Sequence, residues 1–145
     1  MRTSEEIARE LESFYRHYID VFNAEDDRFF ECFAPPYGVV SGERGLATIA
    51  NDDDHRNSFR RTMTALKQRG WARSGIDSIK AWALADNLGM ILSDVTRSKT
   101  DGSLLEKVRA CYMLRRDDTS WKIVTITEIK PPFLGPGDIP RFTPS

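Results

Sequence analysis

The sequence predicts an α+β domain, with a helical first half packed on one face of a curved antiparallel sheet built by the second half. Three observations carry this. Apolar residues between positions 4 and 23 recur on one stripe of a roughly 3.6-residue period. After Gly70 the period changes to two. The apolar runs that follow are separated by Asp86-Asn87, Asp101-Gly102 and Asp117-Asp118, short turn-forming pairs that suit hairpins. At 145 residues the chain makes one domain. The reading places that domain at residues 1–130 and a Pro-rich tail at 131–145.

The first helix is expected from Ser4 to Asn23. Thr3 followed by Glu6 fits a capping box, in which hydroxyl and carboxylate satisfy free backbone N–H groups. Its stripe holds Ile7, Leu11, Phe14, Tyr15, Tyr18 and Phe22. A short helix fits Asp26 to Phe33, stopped by Pro35 and Pro36. Tyr37 to Ser41 reads as a short strand. Asn51 caps the next helix, with Asp52, Asp53 and Asp54 in the first turn, where the helix dipole favours negative charge. Gly70 is its left-handed stop. Strands are expected at Ile76–Leu84, Leu88–Ser98, Leu104–Arg115 and Trp121–Ile129.

Charge tests the hairpin registers. A two-residue turn at Asp101-Gly102 sets Arg97 opposite Glu106, Val95 opposite Val108 and Asp94 opposite Arg109. Centring the last hairpin on Asp117-Asp118 sets Tyr112 opposite Ile123 and Leu114 opposite Trp121. Centring the first on Asp86-Asn87 sets Trp82 opposite Ile91. The helix-facing side then carries Trp82, Ile91, Ser93, Val95, Arg97, Tyr112, Leu114, Ile123, Thr125 and Thr127. The other side carries Ile79, Ala81, Ala83, Met90, Leu92, Asp94, Arg109, Cys111, Met113 and Ile126. It is also largely apolar, and three helices can cover only one face. A bare apolar patch of that kind is larger than the few hundred Å2 usual for monomers, so a homodimer through this second face is expected. The alternative is a monomer whose second face reflects β-propensity alone.

Composition excludes several classes of function. Formal net charge is −1, so no nucleic-acid or anionic-membrane partner is expected. No apolar run approaches the roughly 20 residues that span a bilayer, and the acidic start is unlike a secretory signal. Cys32 and Cys111 have neither metal-ligand spacing nor the density of a disulfide scaffold. A cytoplasmic location, no metal and no cofactor are the expectations.

The order helix, short helix, strand, helix, meander is an α+β cone. The pieces Phe22-Asn23-Ala24-Glu25-Asp26, Phe33-Ala34-Pro35-Pro36, Leu66-Lys67-Gln68-Arg69-Gly70, Thr96-Arg97, Tyr112-Met113-Leu114-Arg115-Arg116 and Trp121-Lys122-Ile123-Val124 follow in an order that resembles the nuclear-transport-factor-two-like superfamily. Within it, the chain resembles SnoaL-like and ketosteroid-isomerase-like small proteins. The resemblance spans about residues 4–130. It implies a cone-shaped, cystatin-like roll with three N-terminal helices on the concave face of the sheet. It also implies a cavity between them for a small apolar organic ligand, and commonly dimers through the convex face. Fold alone does not assign function, because this one hosts isomerases, dehydratases, cyclases, binding proteins and assembly domains.

Candidate site residues follow from helix-side polar groups. His55, on an apolar stripe at a helix N-terminus, suits a neutral imidazole acting as base or hydrogen-bond donor; the alternative is a solvated first-turn side chain. Tyr18 is paired with it as a possible oxyanion donor. Arg97, Tyr112, Tyr15, Ser93, Thr127 and Trp82 are the candidate ligand contacts, with a cross-strand salt bridge to Glu106 as the other reading of Arg97. A complete catalytic set is missing. The strand Tyr37-Gly38-Val39-Val40-Ser41 lacks the carboxylate an isomerase of the ketosteroid type needs, Asp94 and Arg97 fall on opposite faces, and Glu128 is expected to point away from the cone. The reading is therefore small-molecule binding, with cofactor-independent isomerase or lyase chemistry open, and a non-catalytic binding or assembly module as the alternative. In the tail, Phe133, Leu134, Ile139 and Phe142 are expected to pack over the cavity mouth or on a partner subunit, or else to fray.

Overall fold

The computed structural model describes residues 2–134. Helix α1 (Ser4–Asn23) begins with the expected capping box: the Thr3 side chain accepts from the Glu6 N–H, and the Glu6 carboxylate accepts from the Thr3 N–H. A 3-10 helix (Asp27–Cys32) follows, its first turn capped by the Asp26 carboxylate accepting from the Arg28 N–H. The expected second α-helix is thus tighter and shorter than an α-helix, as brief connecting turns commonly are. Strand β1 (Phe33–Ser41) and β2 (Gly45–Ile49) form a hairpin. Helix α2 (Asp52–Gln68) is capped by Asn51, whose side chain accepts from the Asp54 N–H. The chain leaves it through Gly70 at φ +93°, a conformation that disfavours any side chain. Four long strands complete the domain: β3 (Trp71–Ala85), β4 (Leu88–Lys99), β5 (Leu104–Arg116) and β6 (Trp121–Ile129).

The six strands form one sheet in the order β2-β1-β6-β5-β4-β3. β3 to β6 are the expected meander. β1 starts earlier than expected, and β2 is a strand the sequence reading lacks. β1 pairs parallel with β6, with its register broken between Phe33 and Gly38, where Pro35 and Pro36 supply no N–H to the ladder. β3 also starts earlier than alternation suggests. Its first residues are held from outside the sheet: Asn23 at the end of α1 donates to the Ser74 carbonyl and accepts from the Ser74 N–H, both at 2.8 Å.

The β4–β5 register is the one expected, with Arg97 opposite Glu106, Val95 opposite Val108 and Asp94 opposite Arg109. The other two differ. In β3–β4, Trp82 faces Met90 and Ala81 faces Ile91. In β5–β6, Leu114 faces Ile123 but Met113 faces Thr125 and Tyr112 faces Ile126, so Val124 is an extra residue that reverses every side chain beyond it. Directly opposed residues share a face, so both shifts reassign residues. Ile79, Ala81 and Ile126 pack against the helix-side core. Trp82, Thr125 and Thr127 turn to the outer face beside Met90, Met113 and Cys111. Glu128 turns to the helix side, opposite Ala110.

The core lies between the inner face of the sheet and the helices. Ile7, Leu11, Tyr15, Tyr18 and Phe22 of α1 pack with Ile91, Val95, Tyr112, Leu114 and Ile123 of the sheet. Gly89 of β4 lies tight under α1: a methyl group there would sit 2.5 Å from Leu11 Cδ1. On the outer face Arg109 binds Asp94 through two hydrogen bonds, 2.6 and 3.2 Å, and its Nη1 donates to the Phe133 carbonyl. The described residues just after β6 therefore reach the outer side at Phe133. Phe133 is 72% exposed and Leu134 48% exposed, so of the two expected places they do not take the cavity mouth, and the partner subunit stays an expectation; Ile139 and Phe142 lie outside the described residues.

Candidate functional site

The cone interior is aromatic and holds two polar groupings. The first is a hydroxyl cluster. Ser93 Oγ donates to Tyr15 Oη at 2.6 Å, and Tyr15 Oη lies 3.4 Å from Tyr112 Oη. The Tyr15 ring meets those of Tyr18 and Tyr112 at centroid distances of 5.6 and 5.2 Å. All four residues are buried. Burial pushes the phenols of Tyr15, Tyr18 and Tyr112 far above their ordinary range, so they stay protonated and act as hydrogen-bond donors, never as bases. Four of the expected contacts thus come together as one network whose members satisfy one another.

The second grouping is His55 in a cage of rings. It sits one turn into α2, where the stripe that carries Met63 and Leu66 faces the core. Phe30, Phe33 and Tyr37 meet its imidazole edge-on, at 4.9, 4.5 and 5.1 Å, and Phe29 lies at 5.7 Å. The side chain is 2% exposed, yet neither ring nitrogen has a hydrogen-bond partner. Burial, with a smaller contribution from Arg56 that adds to it against the opposing pull of Asp52, lowers its pKa to about 4. The imidazole is neutral at pH 7, as its place at a helix N-terminus suggested. Edge-on rings can receive an N–H on their faces, which leaves the acceptor nitrogen unserved.

His55 and Tyr18 are not in contact. Phe29 and Phe33 stand between them, each touching both rings. No carboxylate among the described residues hydrogen-bonds to His55, so the acid–base pair that proton transfer requires is not assembled there. Arg97 lies at the margin. Its Nη1 donates to Glu106 at 2.6 Å, Arg69 donates to the same carboxylate at 2.9 Å, and its Nε is buried without a partner. Burial pushes the Glu106 carboxyl up, but the hydrogen bonds from Arg69 and Arg97 outweigh it and hold the group below the usual range. The salt-bridge reading of Arg97 is what the geometry contains. Trp82 and Thr127, expected to line the cavity, are on the outer face for the register reasons given above. The residues sequence reasoning missed are Phe29, Phe30, Phe33 and Tyr37 as a cage. Their signal was the aromatic density of residues 29–37, read only as a buried side and a strand. Among the described residues no group of three or more His, Cys, Asp or Glu is placed to hold a metal ion. None of their helices is long and apolar enough to cross a membrane.

A family model described as NTF2-like protein (DUF6841) matches residues 6–131. The chain belongs to this NTF2-like family. Its fold recurs in solved structures of low identity. One is an NTF2-like protein of unknown function from Pseudomonas putida KT2440, with a TM-score of 0.71 and 11% identity over 90% of this chain and 90% of that one. Another is a protein of unknown function with a cystatin-like fold from Nostoc punctiforme, with a TM-score of 0.69 and 12% identity over 90% of this chain and 95% of that one. A third is Aln2 from a Streptomyces species, with a TM-score of 0.65 and 16% identity over 90% of this chain and 94% of that one. No curated protein matches the sequence. The NTF2-like, cystatin-like α+β fold that the resemblance implied is the one found.

Proposed function

We propose that this NTF2-like protein binds a small, mostly apolar organic molecule carrying one hydrogen-bonding group, and that His55 receives that group. The observation that supports this reading is the imidazole itself: nearly inaccessible, neutral, and without a partner on either nitrogen. A buried polar group left unpaired costs about 1–3 kcal/mol, and such groups in folded proteins call for a ligand, a water or a strained function. Binding without turnover is the form this takes. The hydroxyls of Tyr15, Tyr112 and Ser93 are engaged with each other, and no acid among the described residues hydrogen-bonds His55 to complete isomerase or lyase chemistry.

The test is thermal unfolding across a panel of small aromatic alcohols, amides and acids. A ligand that binds only the native state at a hundred times its Kd stabilises it by about 2.7 kcal/mol. A rise in Tm in the wild type that disappears in His55→Phe, with the fold intact, is the expected result. Identical shifts in both proteins would remove His55 from the site.

A second reading concerns the outer face, where half-buried Met90 opposes Met113 beside Trp82 and Cys111, near the Asp94–Arg109 ion pair. We infer that a second copy of the chain packs there. An apolar row with one centred, paired charge suits a self-complementary surface about a two-fold axis.

A further inference from the structure

Outside the cone, the 3-10 helix and α2 enclose a groove of about 380 Å3. That is within the range of sites for small organic ligands. Its apolar floor is Phe30, Phe59 and Met63, and its rim carries Arg56, Arg60 and Lys67. The cations are not equally neutralised. Lys67 is bound to Glu25 at 2.7 Å. Arg56 reaches Asp27 only at 3.9 Å. Arg60 hydrogen-bonds the Asn57 side-chain oxygen at 3.4 Å and meets no carboxylate among the described residues. Glu25 and Asp27 also line the groove, so against its three cations one positive charge remains in excess, centred on Arg60, above the aromatic rings.

Phe30 joins this groove to His55. The Arg56 guanidinium carbon lies 4.3 Å from the Phe30 ring centroid, and the His55 ring lies 4.9 Å from the same centroid at 87°. One aromatic ring therefore stands between an exposed cation and a buried imidazole with no partner. Phe30 belongs to a 3-10 helix, whose hydrogen bonds are poorer than those of an α-helix, so its side chain is the cheapest wall to move.

We propose that this groove is the entrance to the His55 site, and that its ligand is a planar aromatic carboxylate bearing a hydroxyl at the far end of the ring. The ring takes the place of Phe30 against Phe59. The carboxylate stays at the rim on Arg56 and Arg60, where paired N–H donors match its geometry. The hydroxyl points inward and donates to the unserved nitrogen of His55. This rests on the binding reading above and adds to it the charge, shape and direction of approach of the ligand.

The probes are 4-hydroxybenzoate, its uncharged analogue 4-hydroxybenzamide, and benzoate, titrated into the full chain. Calorimetry gives affinity, and the imidazole NMR signals of His55 report location, with His17, the other of two histidines, as internal control. The expected result is movement of His55 and not His17 by 4-hydroxybenzoate, with binding weaker by roughly tenfold or more for each of the other two probes. The pair Arg56→Gln and Arg60→Gln erases the preference for the acid over the amide. Phe30→Ala, which opens the passage permanently, speeds association. Equal movement of His55 by acid and amide in the wild type overturns the anion assignment while leaving binding at His55 standing. Binding of 4-hydroxybenzoate without movement of His55 overturns the entrance. Silence of every probe at His55, in the wild type and in Phe30→Ala alike, overturns the whole inference, and the broader panel then decides the binding reading on its own.

Discussion

At the scale of a residue, His55 decides most. Its folded pKa of about 4 lies below the value near 6.5 of an unfolded histidine. Between these values the unfolded chain binds the proton and the folded one does not, so stability rises with pH through that window and is lost as pH falls from 6.5 towards 4. The loss is on the order of 3 kcal/mol. His55→Phe should flatten this part of the urea-stability profile. At pH 7 in the absence of ligand it should also stabilise the protein by about 1 kcal/mol, because an unpaired buried imidazole is replaced by a ring of similar shape. A steeper profile in the variant would contradict the burial-driven pKa. The neutrality of this histidine was legible from its place on an apolar stripe at a helix N-terminus. Its cage was not, because Phe29, Phe30, Phe33 and Tyr37 come from a 3-10 helix and a strand whose relative placement no local pattern encodes.

At the scale of elements, capping residues and turn formers located both α-helices and the β4–β5 hairpin to within a residue. The failures share one cause. A single extra residue at Val124 exchanges the two faces of β6, and a bulge leaves no trace in an alternation of Ile, Val and Thr that reads equally well either way. That is why Thr127 was expected on the helix side and Glu128 on the outer side, whereas the structure turns Thr127 to the outer face and Glu128, still solvent-exposed, to the helix side. β2 escaped notice because it is an edge strand exposed along most of its length, so it carries no buried face to betray it. Packing between elements gives its own test at Gly89. Gly89→Ala sets a methyl 2.5 Å from the fully buried Leu11. The expected cost is about 1–3 kcal/mol, read as a lower urea midpoint with an unchanged m-value. An unchanged midpoint would mean that α1 shifts freely on the sheet.

At the scale of the molecule, the α+β cone was legible because helix stripe, change of period and turn spacing agree with one another. The outer face carries the proposal of a twin subunit. Sedimentation at micromolar concentration should give the mass of a dimer for the wild type. Met90→Glu, which sets a carboxylate opposite Met113 on that face, should give a monomer with unaltered circular dichroism. A wild type that sediments as a single chain would refute the twin. Neither Asp94 nor Arg109 should be used for this test, since each supports the other within one sheet.

The parallel pairing of β1 with β6 ties residues 33–41 to residues 121–129. A chain emerging from the ribosome makes its first strand some eighty residues before the neighbour that will flank it, at roughly 5–20 residues per second. Until then the early hairpin has one open side, and a cut before Trp121 would strand it permanently. The β3–β4–β5 meander can form as soon as it is made, so assembly should run from that late-written middle outward, with the oldest strand docking last.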